Sequence, residues 1–159
     1  MADNKYYLTK EGLEKIKKDY ESLLEFRKTK TTDDVPSIWH SEDVNPEYLS
    51  FQEDMNVLEA RLTEYEDILK NVELIILPPK EKRIMVCLGA TVTLEEDPGK
   101  MINEYTILGT LEANPGEGKI SADSPVGRQL IGKRIEEEVV INSPIRVVYH
   151  IKKITYSFR

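Results

Sequence analysis

The 159 residues are 40% hydrophobic and 32% charged, with a formal net charge of −7, which excludes a disordered or a membrane-embedded composition. No apolar run approaches the ~20 residues that cross a bilayer, and the opening Met-Ala-Asp-Asn-Lys-Tyr-Tyr has no signal-peptide core. A single cysteine, Cys87, and two histidines leave neither a disulfide framework nor a usual zinc set, and they fit a reducing cytoplasm.

In chain order, Leu8 and Thr9 open a first helix, with Thr9 placed to cap it and Glu11 in its first turn. Leu13, Ile16, Tyr20 and Leu23 step by three and four, and the apolar stripe fades after Phe26. Asp33-Asp34-Val35-Pro36 reads as a break before Ile38 and the only tryptophan, Trp39. Those two side chains either cover the end of a helical seam or meet a partner.

Asn45 is placed to cap a second helix, and Pro46 suits its first position. Tyr48, Phe51, Met55, Leu58, Leu62, Tyr65, Leu69, Val72 and Ile76 then repeat every 3.5 residues, a coiled-coil seam predicted over Asn45 to Ile76. Two consecutive helices with matching seams predict an antiparallel hairpin. Between Thr31 and Ala60 the chain holds eight carboxylates and no lysine or arginine, which disfavours general nucleic-acid binding through this face. Such a stretch is either a solvated helix surface or an acidic projection aimed at a cation or a basic cavity.

Leu77-Pro78-Pro79-Lys80 ends the helical half, which dictates domains of 1–77 and 78–159. Beyond it the period changes. Ile84–Leu88, Ala90–Glu95, Tyr105–Leu108, Glu138–Ile141 and Ile145–Tyr156 are β-branched-rich runs. Turns are expected at Asp97-Pro98-Gly99-Lys100 and at Asn114-Pro115-Gly116-Glu117-Gly118. In the last run the apolar parity switches between Ile151 and Ile154, which predicts a bulge near Lys152-Lys153. Ser124 to Gly132 reads as a short capped helix ending at glycine. The fold class is therefore α+β: a helical hairpin followed by a small antiparallel sheet with one short helix.

Signatures of most enzymes are missing: no P-loop, no dinucleotide glycine pattern, no HExxH and no Gly-x-Ser-x-Gly. The chemically suggestive feature is the set of carboxylates between the helices, whose oxygens suit a hard ion such as Mg²⁺. A magnesium ion completed by another molecule fits that donor set better than an all-protein site does.

Over essentially its whole length the chain resembles the GreA/GreB family of bacterial transcript-cleavage factors. The likeness is carried by Tyr7-Leu8-Thr9-Lys10-Glu11-Gly12-Leu13-Glu14-Lys15-Ile16, by Asn45-Pro46-Glu47-Tyr48, and by Gly89-Ala90-Thr91-Val92 together with Ile120 to Lys133. The resemblance implies a coiled-coil N-terminal domain and an FKBP-like C-terminal domain that docks at the rim of the secondary channel of RNA polymerase. It further implies that acidic hairpin residues help to hold a second Mg²⁺ at the polymerase's own active site, where backtracked RNA is cut. In that reading the chain is no enzyme by itself and binds no tight cofactor. It is a cytoplasmic monomer that meets nascent RNA only through the polymerase and has no membrane partner.

Asp123, Ser124 and Pro125 match the family's polymerase-docking positions, and Asp123 or Ser124 can equally cap the short helix. The hairpin tip departs from the family's His-Gly-Asp-Leu-(Lys/Ser)-Glu-Asn. Here His40-Ser41-Glu42-Asp43-Val44-Asn45 is one residue shorter, and its carboxylates are adjacent. Glu42 and Asp43 are the candidate assisting and metal-holding residues, with Asp33 and Asp34 behind them. The shortened tip leaves a second outcome open, a cleavage-inactive homologue that occludes the channel and inhibits or pauses transcription. Two remoter alternatives are an FKBP-like prolyl isomerase, for which residues 80–159 show no aromatic-lined pocket signature, and a coiled-coil assembly protein.

Overall fold

The computed structural model describes residues 4–33, 46–142 and 145–157. They form two compact units: Leu13–Asn71, and Met1–Gly12 with Val72–Arg159.

The first unit is made of α1 (Lys10–Asp33) and α2 (Pro46–Lys70), of which Gly12 and earlier residues belong to the second unit. The two helices are antiparallel, because their cross-links run in opposite directions along the chain. Tyr20 Oη donates to Glu66 at 2.9 Å, Arg27 pairs with Glu59 at 3.2 Å, and Lys30 pairs with Asp54 at 3.1 Å. The expected seam is covered, except that near the end of α2 the off-seam Ile68 is buried where the seam residue Leu69 is not. Leu58 and Leu62 are buried, while Tyr48, Phe51, Met55, Tyr65 and Leu69 are half-buried, as are Leu13, Ile16, Tyr20 and Leu23 on α1.

The predicted second helix runs too far at its C-terminal end. It stops at Lys70, and Val72–Leu74 form strand β2, so Val72 and Ile76 do not belong to the seam. Asn71 ends the helix. Its amide donates to the carbonyls of Asp67 and Ile68 at 3.2 Å, and its side-chain nitrogen donates to the Asp67 carbonyl at 2.9 Å. The following aliphatic run pairs in parallel with β1 (Tyr6–Leu8), joining Tyr6 to Val72 and Leu8 to Leu74. The Ile75 amide then donates to the Leu8 carbonyl at 2.8 Å. Ile75 is buried and Ile76 is 77% exposed, the reverse of the heptad expectation. A parallel pair needs a long crossover connection, and here the whole helical hairpin is that connection. Residues 4–12 and 72–77 thus pack with the second unit, which differs from the division at residue 77.

The second unit is built on a five-stranded sheet of order β5-β4-β3-β7-β6, with β3 Thr91–Asp97, β4 Ile102–Leu108, β5 Lys119–Ser121, β6 Glu138–Asn142 and β7 Arg146–Thr155. One short helix, α3 (Pro125–Leu130), follows β5. The core gathers Val92, Leu94, Ile107, Leu130, Val139 and Ile151. The α+β class and the order of helices before sheet are as expected. The bulge also falls where the parity switches. Thr93 faces Lys153 and Leu94 faces Ile151, so Lys152 is the extra residue, and Ile151 and Ile154 both turn inward.

Two details differ from expectation. Ile84–Leu88 is not a strand: Met85 forms an isolated bridge with Arg134, and Val86 exchanges bonds of 2.7 and 2.9 Å with Lys133 and Gly132. Gly89, at φ 93°, then turns the chain into β3. Strand β5 lay hidden in the sequence, and it pairs with β4 in parallel, the exception in an otherwise antiparallel sheet.

Candidate functional site

The acidic segment between the helices holds Asp34, His40, Glu42 and Asp43 and lies outside the described residues, as does the side chain of Asp33. Among the described residues no three His, Cys, Asp or Glu side chains are grouped to hold a metal ion.

The other candidate, Asp123-Ser124-Pro125, is described in full, and its three members part company. Ser124 is the N-cap of α3: its Oγ accepts from the Gly127 amide at 3.0 Å and donates to the Ser121 carbonyl at 2.6 Å. Both capacities of the hydroxyl are used inside the fold, as a capping serine requires. Pro125 occupies the first helical position, where its missing N–H costs nothing. Gly127 is buried against the β5 end, and a Cβ there would overlap the Ser121 carbonyl oxygen. Asp123 and Pro125 are exposed. Asp123 is steadied by its amide, which donates to Ser121 Oγ at 3.1 Å, while Thr110 Oγ1 lies 3.5 Å from its carboxylate. The motif therefore splits into an inward anchor, Ser124, and an outward pair, Asp123 and Pro125.

Asp123 also lines a cleft of about 870 Å³ in the second unit. Tyr6 and Tyr7 contribute to its wall, together with Cys87, Leu88, Leu111 and Arg128. No aromatic signature was expected within residues 80–159, and this aromatic lining comes from β1, more than 70 residues earlier in the chain. Periodicity carries no signal for such a juxtaposition, because it depends on β1 joining the second unit.

The approach of β1 is close. A Cβ on Gly109 would overlap the Tyr7 carbonyl, and Glu112 receives hydrogen bonds from the Thr9 amide at 2.7 Å and from Thr9 Oγ1 at 2.5 Å. Thr9 caps α1 as expected, with Gly12 N–H donating to its Oγ1 at 3.1 Å. Cys87 is half-buried beside the cleft rather than in a strand. Its amide donates to Tyr156 Oη at 3.0 Å, and the Tyr156 hydroxyl donates to the Met85 carbonyl at 2.6 Å. Burial, reinforced by the Cys87 side chain, pushes the Tyr156 phenol up to about 12.

Comparison with known proteins covers both units. Residues 81–156 match the family model "Transcription elongation factor, GreA/GreB, C-term". Transcription elongation factor GreA of Thermomicrobium roseum is 40% identical over 146 residues, covering 91% of this chain and 92% of that protein. The GreA of Bacillus cytotoxicus is 37% identical with the same coverage. A crystal structure of the GreA factor homolog 1 of Thermus thermophilus is similar at 23% identity and a TM-score of 0.43, covering 96% of this chain and 99% of that one. Sequence identity at this level over 91% of the chain makes it a member of the GreA/GreB family of transcription elongation factors.

Proposed function

We propose that this elongation factor binds bacterial RNA polymerase through its second unit and carries the acidic segment of its hairpin into the secondary channel, where it stimulates cleavage of backtracked RNA. The observation that supports the reading most is the identity to GreA proteins, which extends over 91% of the chain and so includes the hairpin as well as the sheet. Asp123 and Pro125 are the docking residues, outward-facing on a turn that Ser124 holds in place. The chain works in the cytoplasm beside the polymerase and is not an enzyme alone. Glu42 and Asp43 supply the carboxylates, with Asp33 and Asp34 as second candidates. Their oxygens are the donor type that magnesium takes; they would hold such an ion jointly with the polymerase, where it would supply charge stabilisation for the hydrolysis. The role of Glu42 and Asp43 is to complete and orient that site, so positioning decides the rate.

The test uses the full chain with a factor-free polymerase arrested by backtracking. Release of short 3′ RNA fragments is expected, and Glu42→Ala with Asp43→Ala should slow it by about a hundredfold or more. Binding without any release rejects the cleavage role. Inhibited elongation in that same assay identifies a channel-occluding factor, an outcome made concrete by the tip being one residue shorter than the family pattern. Grafting His-Gly-Asp-Leu-Lys-Glu-Asn in place of residues 40–45 should then confer cleavage.

A further inference from the structure

The two halves of the helical hairpin are held together by different forces. In the half nearer Leu13 and Asn71 both helices contribute apolar seam residues: Leu13, Ile16, Tyr20 and Leu23 on α1, with Leu58, Leu62, Tyr65 and Leu69 on α2. Leu58 and Leu62 are the seam residues that are fully buried.

Past Leu24 the composition of α1 changes and that of α2 does not. The next seam positions of α1 are Arg27 and Lys30, and Phe26 is 51% exposed. Opposite them α2 still presents Tyr48, Phe51 and Met55, each only half-buried, and none of its described residues before Leu58 is buried. The aliphatic stems of Arg27 and Lys30 serve as the seam, and their heads reach across to Glu59 at 3.2 Å and Asp54 at 3.1 Å. Lys30 also lies 5.6 Å from the centre of the Phe26 ring. The side chains of Arg27 and Lys30 are 39% and 22% exposed, and those of Glu59 and Asp54 are 51% and 60% exposed. Solvent therefore reaches both pairs. Exposed pairs are weak and are screened by salt, whereas apolar burial is not weakened that way.

We propose that the distal part of the hairpin, Arg27 to Asp33 on α1 with Pro46 to Val57 on α2, is a segment held chiefly by ion pairs. It opens on its own, ahead of the apolar half, and ionic strength sets its population. The two helices then open in the order in which their glue fails: charge first, burial last. Stability that varies along a structure in contiguous blocks is the general behaviour of folded chains. Here the block boundary falls where seam residues change type.

The experiment is backbone hydrogen exchange of the full chain, read by peptide mass spectrometry at about 0.01 M and about 1 M potassium chloride, where the screening length falls from about 30 to 3 Å. Exchange should rise about fivefold in peptides from 27–33 and 46–57, the loss expected from two exposed pairs. Peptides from 13–24 and 60–70 should stay unchanged. Asp54→Asn with Glu59→Gln should show the fast rate already at low salt. Arg27→Leu with Lys30→Leu, which continues the apolar seam, should exchange slowly at both salt concentrations. A salt response spread evenly over the two helices, or no response in 27–33 and 46–57, overturns the proposal. So does a salt response retained in the double leucine variant.

Discussion

Tyr156 shows how much one hydroxyl can join. It accepts from the Cys87 amide and donates to the Met85 carbonyl, tying the end of β7 to the chain that leads into β3. Tyr156→Phe leaves both backbone groups without that partner and should cost about 1–3 kcal/mol in urea unfolding. The phenol is held at about 12, above its ordinary 10.0. Its contribution is therefore fully present below pH 10 and is lost as pH rises toward 12. Wild-type stability should fall across that window, and the phenylalanine variant should lack this component. A second joint, at Thr9, was half legible. A threonine three residues before Gly12 announces a cap, and the usual capping box would place a glutamate at position 12. Glycine stands there instead, and a carboxylate from position 112 comes to Thr9 in its place. No local pattern reaches across 103 residues.

At the scale of elements, the seam tests itself. Leu62 is 1% exposed between the helices, and Leu62→Ala should cost about 2–5 kcal/mol in thermal or chemical unfolding. Ile76→Ala lies in the same arithmetic repeat but outside the helix, and should stay within about 0.5 kcal/mol. A large effect at Ile76 would restore the longer helix. Ser124→Ala removes the cap of α3 and should cost about 1 kcal/mol, with Asp123 less firmly held. The heptad was readable because a 3.5-residue repeat is a local property. Its true end was not, because Val72 to Ile76 satisfies a seam on paper and a parallel strand in fact. The strand prevails because β1 offers it a backbone partner.

For the molecule as a whole, the proposed reading assigns binding and cleavage to different units, so they should separate by mutation. Asp123→Ala with Pro125→Ala should weaken polymerase binding by about tenfold or more in a titration, the scale of an interface anchor lost. Glu42→Ala with Asp43→Ala should leave that binding intact and remove RNA release. Variants that lose both together would count against the division. From the sequence alone come the α+β class, the antiparallel hairpin, the bulge at Lys152-Lys153 and a cap at Asp123 or Ser124, each written in short-range periodicity or turn chemistry. The resemblance to the GreA/GreB family was legible in the same way, in contiguous motifs. Tertiary structure alone decided that residues 4–12 and 72–77 join the sheet unit, that Tyr6 and Tyr7 line the cleft beside Asp123, and that Glu112 holds Thr9. Those outcomes depend on backbone groups finding partners far away in the chain, and a one-dimensional pattern records only which groups are available.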